Sequence, residues 1–197
     1  MHPSPKAAAM PRLPPVTEKS APAVAEVFAE ITATRGFVSN ALAAVGHAPE
    51  GLRHLARLGA YTKYQTDLPE RLRELSILCA ARGVAYAWTH HMSLAQQAGI
   101  PPAAIEAIGA GRVPTALPPA EQAIARYIQE LFSAQSVSDD AFAELARHFT
   151  ARQITDISLS ATYYRALGTL VMAFGVEMES PAVMKIEKDW QKAKAGL

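Results

Sequence analysis

Residues 68–99 read LPERLRELSILCAARGVAYAWTHHMSLAQQAG, and the reading of this stretch decides the fold. The stretch is rich in Leu and Ala with no alternating β-branched pattern, and it predicts a helix with an apolar face whose first turn holds Pro69 and Glu70. Pro suits a first helical turn, and Glu70 places negative charge at the positive end of the helix. Arg82-Gly83 breaks the pattern, and a second helix then carries Tyr86, Trp88, His90 and His91. Within the first helix Glu74 shares a face with Ile77, Leu78 and Ala81. A carboxylate there is costly to bury unless it is paired. Two readings stay open: an inward Glu74, or one at the edge of the stripe paired with Arg71 or Arg73.

Outward from this stretch the chain repeats the same grammar. Upstream, residues 1–20 are proline-rich and predict an extended arm. Ser20 is the expected N-cap of a helix that buries Val24, Val27, Phe28 and Ile31 and stops at Gly36. A short helix around 38–45 and a longer one from Pro49 to Tyr64, with Leu52, Leu55, Leu58 and Tyr61 as its apolar face, lead into TKYQTD as a turn. Downstream, Pro101-Pro102 opens a short helix ended by Gly109 and Gly111, and RVPTALPP (112–119) is a linker candidate. Then come a helix over 121–133, one capped by Ser138, and one capped by Thr150 that runs to about Gly175. Residues 181–197 form a charged tail. The expected organisation is therefore an arm, an all-helical domain over 21–180 with two possible halves, and the tail. Phe149-Thr150-x-Arg152…Asp156-Ile157-Ser158 weakly echoes Leu68-Pro69-x-Arg71…Glu74-Leu75-Ser76, which hints at an internal duplication. No alternating β-branched pattern appears, so the fold class is all-α.

Composition narrows the functions. Half of the 197 residues are hydrophobic and the formal net charge is +1, with basic residues scattered, so neither nucleic acid nor membrane is an expected partner. No apolar run nears the roughly 20 residues of a spanning helix, and the N-terminus lacks the apolar core of a signal peptide. A cytoplasmic location is expected. One cysteine, Cys79, can form neither an internal disulfide nor a C-x-x-C pair, and it reads as a small core residue.

The chemistry gathers on Glu74 and the two histidines. An inward histidine is more often a satisfied core residue than a catalyst. Here, however, a one-glycine break separates it from the carboxylate helix. If the two helices pack antiparallel, Glu74 can fix the imidazole tautomer and raise its basicity. The neighbouring His90 and His91 point about 100° apart on a helix, and no H-x-x-x-H or H-E-x-x-H is present. No protein-bound metal is expected.

The pattern LPERLRELSILCAA, a break, then AYAWTHHMSLAQQAGIPPAAIEAI resembles the carboxymuconolactone decarboxylase family of the alkylhydroperoxidase-D-like superfamily. MPRLPPVTE and QITDISLSATYYRALGTLVMAFGVE extend the resemblance over about 10–179. It implies an alkylhydroperoxidase-D-like helical bundle, with Glu74 as the family's helix-borne glutamate and His91 as its histidine. The peroxidase branch carries a C-x-x-C at positions occupied here by Val84 and Ala87. The resemblance therefore favours the decarboxylase-like branch, a cofactor-independent lyase using Glu/His acid–base chemistry in the degradation of aromatic compounds. On this reading His91, Glu74 and His90 are the catalytic candidates. Arg82 and Arg165 are candidates for holding a substrate carboxylate, and Tyr86, Trp88, Tyr163 and Tyr164 for walling a pocket. The expected partner is a small carboxylated or cyclic substrate, with no cofactor, and the chain is expected to form a homo-oligomer (dimer, trimer or hexamer). The alternatives are a thiol peroxidase working through Cys79 alone and a non-enzymatic helical binding module.

Overall fold

The computed structural model describes residues 11–133 and 136–195, with side chains except at 187–188 and 191–195. The described residues form ten helices and no strand, so the protein is all-α. In order they are α1 (Pro22–Arg35), α2 (Asn40–Ala43), α3 (Pro49–Tyr64), α4 (Glu70–Ala80), α5 (Ala85–Gln97), α6 (Pro102–Gly109), α7 (Pro119–Ser133), α8 (Asp139–His148), α9 (Ala151–Phe174) and α10 (Pro181–Ala195). Two compact units divide the chain. One runs from Tyr61 to Gly168, and the other combines the segments before and after it. The proline-rich 112–119 segment lies inside the first of these. No described helix is long and apolar enough to cross a membrane.

In the unit built from the chain ends, α1 buries Val24, Val27, Phe28 and Ile31 and ends on Gly36, as the periodicity expects. The expected cap is different: Ala21 occupies the N-cap, and the Ser20 hydroxyl instead accepts from the Thr17 amide. Pro22 needs no cap for its own missing N–H. Residues 1–10 of the proline-rich arm lie outside the described residues. Residues 11–20 form no helix, and Arg12 is tied to the far end of α9, its amide to the Phe174 carbonyl at 2.8 Å and its guanidinium to that of Ala173 at 2.8 Å. Residues 181–195 of the expected charged tail form α10.

The Tyr61–Gly168 unit carries the candidate site. Its core holds Leu75 and Leu78 of α4, Ile124 and Ile128 of α7, Leu145 of α8 and Ile157 of α9, all fully buried. Ser138 caps α8 by accepting from the Ala141 amide, and Thr150 with Gln153 forms a reciprocal cap on α9. Between α4 and α5 the connection is four residues long. Gly83 adopts φ 82°, a conformation an L side chain resists, and this turn returns α5 onto α4. Gly168 permits the close approach of α9: a Cβ there would lie 3.0 Å from Val84 Cγ1. Arg71 anchors the start of α4. Its Nε and Nη2 donate to the two carboxylate oxygens of Glu121 on α7 at 2.7 and 2.9 Å, and its Nη1 donates to the carbonyl of Gly99.

Candidate active site

Glu74 projects from the middle of α4 and is 0% exposed. Of the two readings the sequence left open, the inward one holds, but Glu74 pairs with neither Arg71 nor Arg73. Its Oε2 accepts from His91 Nδ1 at 2.9 Å and its Oε1 accepts from Lys63 Nζ at 2.5 Å. Each oxygen therefore has its own donor, which offsets the desolvation that burial imposes. His91 comes from the second turn of α5 and Lys63 from the last turn of α3. Both side chains are 10% exposed.

The electrostatics follow from these contacts. Burial by itself pushes the Glu74 carboxyl up, but Lys63 and His91 together hold it well below the usual carboxylate range. Glu74 is an anion at neutral pH. Burial pushes His91 below the ordinary imidazole value; Glu74 opposes this, while Lys63 and the neighbouring His90 add to it. The carboxylate raises the imidazole's basicity as expected, but the net shift is downward, because burial first, and Lys63 and His90 after it, outweigh one anion. A neutral imidazole beside an ionised carboxylate carries its proton on Nδ1 and donates it to Glu74. Nε2 is then the lone-pair nitrogen that can face a reactant.

Tyr164 of α9 sets its ring edge-on to His91, with centroids 4.6 Å apart, and Tyr163 stands edge-on to Tyr164 at 5.0 Å. Those two of the expected pocket residues therefore gather at the imidazole. Others go elsewhere. Tyr86 stacks at a tilt on His90, 4.8 Å between centroids, on the half-buried side of α5. Trp88 packs among Ala81, Val84 and Ala87 and against Gly109. Arg165 donates to the Arg82 carbonyl at 3.0 Å and lies over the Phe132 ring, while the Arg82 guanidinium lies against Gly111 and shares a small cavity with Cys79 and Arg112.

The cation that does reach Glu74 is Lys63, which the sequence reading placed in a turn. That reading put Leu52, Leu55, Leu58 and Tyr61 on the buried face of α3. In the fold Leu58 is 38% exposed, and the buried line is Leu52, Ala56, Ala60 and then Lys63. Ala56 and Ala60, four residues apart, followed by Lys63 three residues later, were the signal for Lys63. The acid that echoes Glu74, Asp156, is also buried, and it accepts from the Tyr61 hydroxyl at 2.7 Å.

Cys79 is half-buried, and burial pushes its thiol up to about 12, the opposite of what a nucleophilic thiolate requires. Val84 and Ala87 are buried in a small apolar cluster with Ala81. Among the described residues no three His, Cys, Asp or Glu side chains group as metal ligands. An apolar groove of about 610 Å³ along α7, α8 and α9 and a smaller one beside residues 11–16 include none of Lys63, Glu74 and His91.

Residues 49–130 match the model of the carboxymuconolactone decarboxylase family, a span that contains Lys63, Glu74 and His91. No curated protein matches the sequence. Among solved structures the chain is similar to an uncharacterized peroxidase-related protein with an alkylhydroperoxidase AhpD core from Ralstonia eutropha, at 18% identity, 88% of this chain, 95% of that one and a TM-score of 0.71. It is also similar to the debrominase Bmp8 in complex with 2,3,4-tribromopyrrole (17%, 91% and 95%, TM-score 0.66). An uncharacterized peroxidase-related protein from Silicibacter is a third (15%, 91% and 95%, TM-score 0.66). Residues 49–130 are thus similar to the carboxymuconolactone decarboxylase family, and the fold is alkylhydroperoxidase-D-like.

Proposed function

We propose that the protein is a cofactor-independent lyase of the decarboxylase type, acting on a small carboxylated or cyclic organic molecule by acid–base chemistry at His91. The observation that carries this reading is the 2.9 Å bond from His91 Nδ1 to a fully buried, ionised Glu74. A carboxylate at Nδ1 fixes the tautomer in which Nε2 is basic, and it stabilises the imidazolium that forms when Nε2 takes a proton. His91 would take the proton of a substrate carboxylic acid group whose carbon is conjugated with a carbonyl. Cleavage of the C–C bond to the carboxylate releases carbon dioxide and leaves its electron pair conjugated with that carbonyl. The imidazolium then returns the proton to carbon, so protons and electrons balance without a redox partner. Tyr164, edge-on to the imidazole, offers an apolar wall suited to a flat or cyclic substrate. The debrominase of the same fold, named with a brominated pyrrole as its ligand, supports this size class. A thiol mechanism through Cys79 lacks such support, since its thiol is held protonated.

The test is a screen of small unsaturated lactones and carboxylic acids for carbon dioxide release, repeated with His91→Ala. The variant is expected to lose at least about 10²-fold in turnover, the usual share of a general acid–base group, with unchanged helical circular dichroism. Near-normal turnover by a folded His91→Ala protein sinks the assignment.

A further inference from the structure

Lys63 belongs to no motif that the sequence reading used, yet it completes the buried cluster. Charges that water cannot reach must sum close to zero, because an uncompensated buried charge costs several kcal/mol. Lys63 and Glu74 cancel one another, and the sum stays at zero only while His91 is neutral. Without the ammonium the same sum would be restored by a proton on His91. The groups that face the imidazole support this bookkeeping. Glu74 on α4 is the anion, Lys63 on α3 is the cation bound to the carboxylate's other oxygen, Tyr164 on α9 presents a ring edge, and His90 is the preceding residue of α5. In this set Glu74 alone favours an imidazolium.

We propose that Lys63 is a positioning residue that holds His91 in its neutral, proton-accepting form by occupying Oε1 of Glu74 and cancelling its charge. The base character of the site is thus set from α3, a helix that carries neither member of the pair. The proposal rests on the acid–base reading above only in its use of the word base; the charge state itself does not depend on turnover. The same contact divides the two carboxylate oxygens between two donors, so that Oε2 stays aimed at Nδ1.

The experiment is an NMR titration of the His91 imidazole in the full chain, assigned by loss of its signals in His91→Gln. Wild type is expected to titrate below the ordinary 6.5, held there by burial and by Lys63, and Lys63→Met higher than wild type by at least about one unit. Lys63→Arg restores the wild-type midpoint. Lys63→Gln, which keeps a donor to Glu74 without the charge, moves the midpoint in the same direction as Lys63→Met and replaces it should that variant not fold. In a Glu74→Gln background Lys63→Met moves the midpoint by less than about a third as much, because no anion remains to be cancelled. An unmoved midpoint in both Lys63→Met and Lys63→Gln overturns the proposal, as does an equal shift in the Glu74→Gln background. An active His91→Ala protein overturns only the lyase reading, and an unmoved titration only the role of Lys63.

Discussion

Lys63, Glu74 and His91 make the stability of the protein depend on pH in a direction that can be worked out. Glu74 is held below its ordinary 4.5 and His91 below its ordinary 6.5. Each group therefore binds fewer protons in the native state than in the unfolded chain, and acid favours unfolding. The His91 contribution is fully present above 6.5 and is lost as pH falls toward its folded value; that of Glu74 is present above 4.5 and is lost as pH falls toward its own. Urea midpoints measured from pH 8 to 4 are expected to fall below about 6.5 in wild type. The difference from His91→Gln should shrink over the same window, since that variant has no imidazole to protonate. A midpoint that rises on acidification through this window would contradict the neutral resting state of His91.

At the scale of elements, α4 works because both of its ends are fixed. Gly83 returns the chain after its C-terminus, and the Arg71–Glu121 pair locks its N-terminus to α7. Glu121 is 7% exposed, whereas the Arg71 side chain is about one-third exposed, so the pair is screened on one side. Removing the guanidinium leaves a nearly buried carboxylate without its partner. Arg71→Ala is expected to destabilise by about 2 kcal/mol, below the range for a fully buried pair because water reaches the arginine. Lys at 71 recovers only part of this, since an ammonium cannot span both oxygens. Denaturant unfolding of the three proteins checks the order. The helix ends and caps were largely legible, because Pro, Gly, Ser and Thr act over one turn: Ser138, Thr150 and Gly36 stand where the local rules put them. The buried face of α3 was not. Its large residues Leu58 and Tyr61 point away from the line that Ala56 and Ala60 mark, because the close approach of neighbouring elements, which is not a local property, selects the small side chains.

At the scale of the whole molecule, the Tyr61–Gly168 unit holds one continuous apolar core under the site. Leu75 lies next to Glu74 in sequence and is itself fully buried, so packing and chemistry share one turn of α4. Leu75→Ala is expected to cost about 3 kcal/mol through lost burial and the cavity left behind. Thermal unfolding followed at 222 nm should show the drop, with native helicity kept at 25 °C. A cost under about 1 kcal/mol would mean that the core closes over the gap.

By itself the sequence determined the all-α class and most helix boundaries, and it singled out Glu74 and His91 while leaving open whether Glu74 faces inward. The first two follow from helical periodicity and from residues that break or cap helices. The tertiary structure alone decided which cation meets Glu74, that Arg71 binds Glu121 fifty positions away, and that Tyr164 rather than Trp88 stands against the imidazole. It also decided the charge state of His91. Periodicity can say that a side chain points inward, but its protonation depends on how much water is excluded and on every charge brought near, and both arise only when distant segments pack.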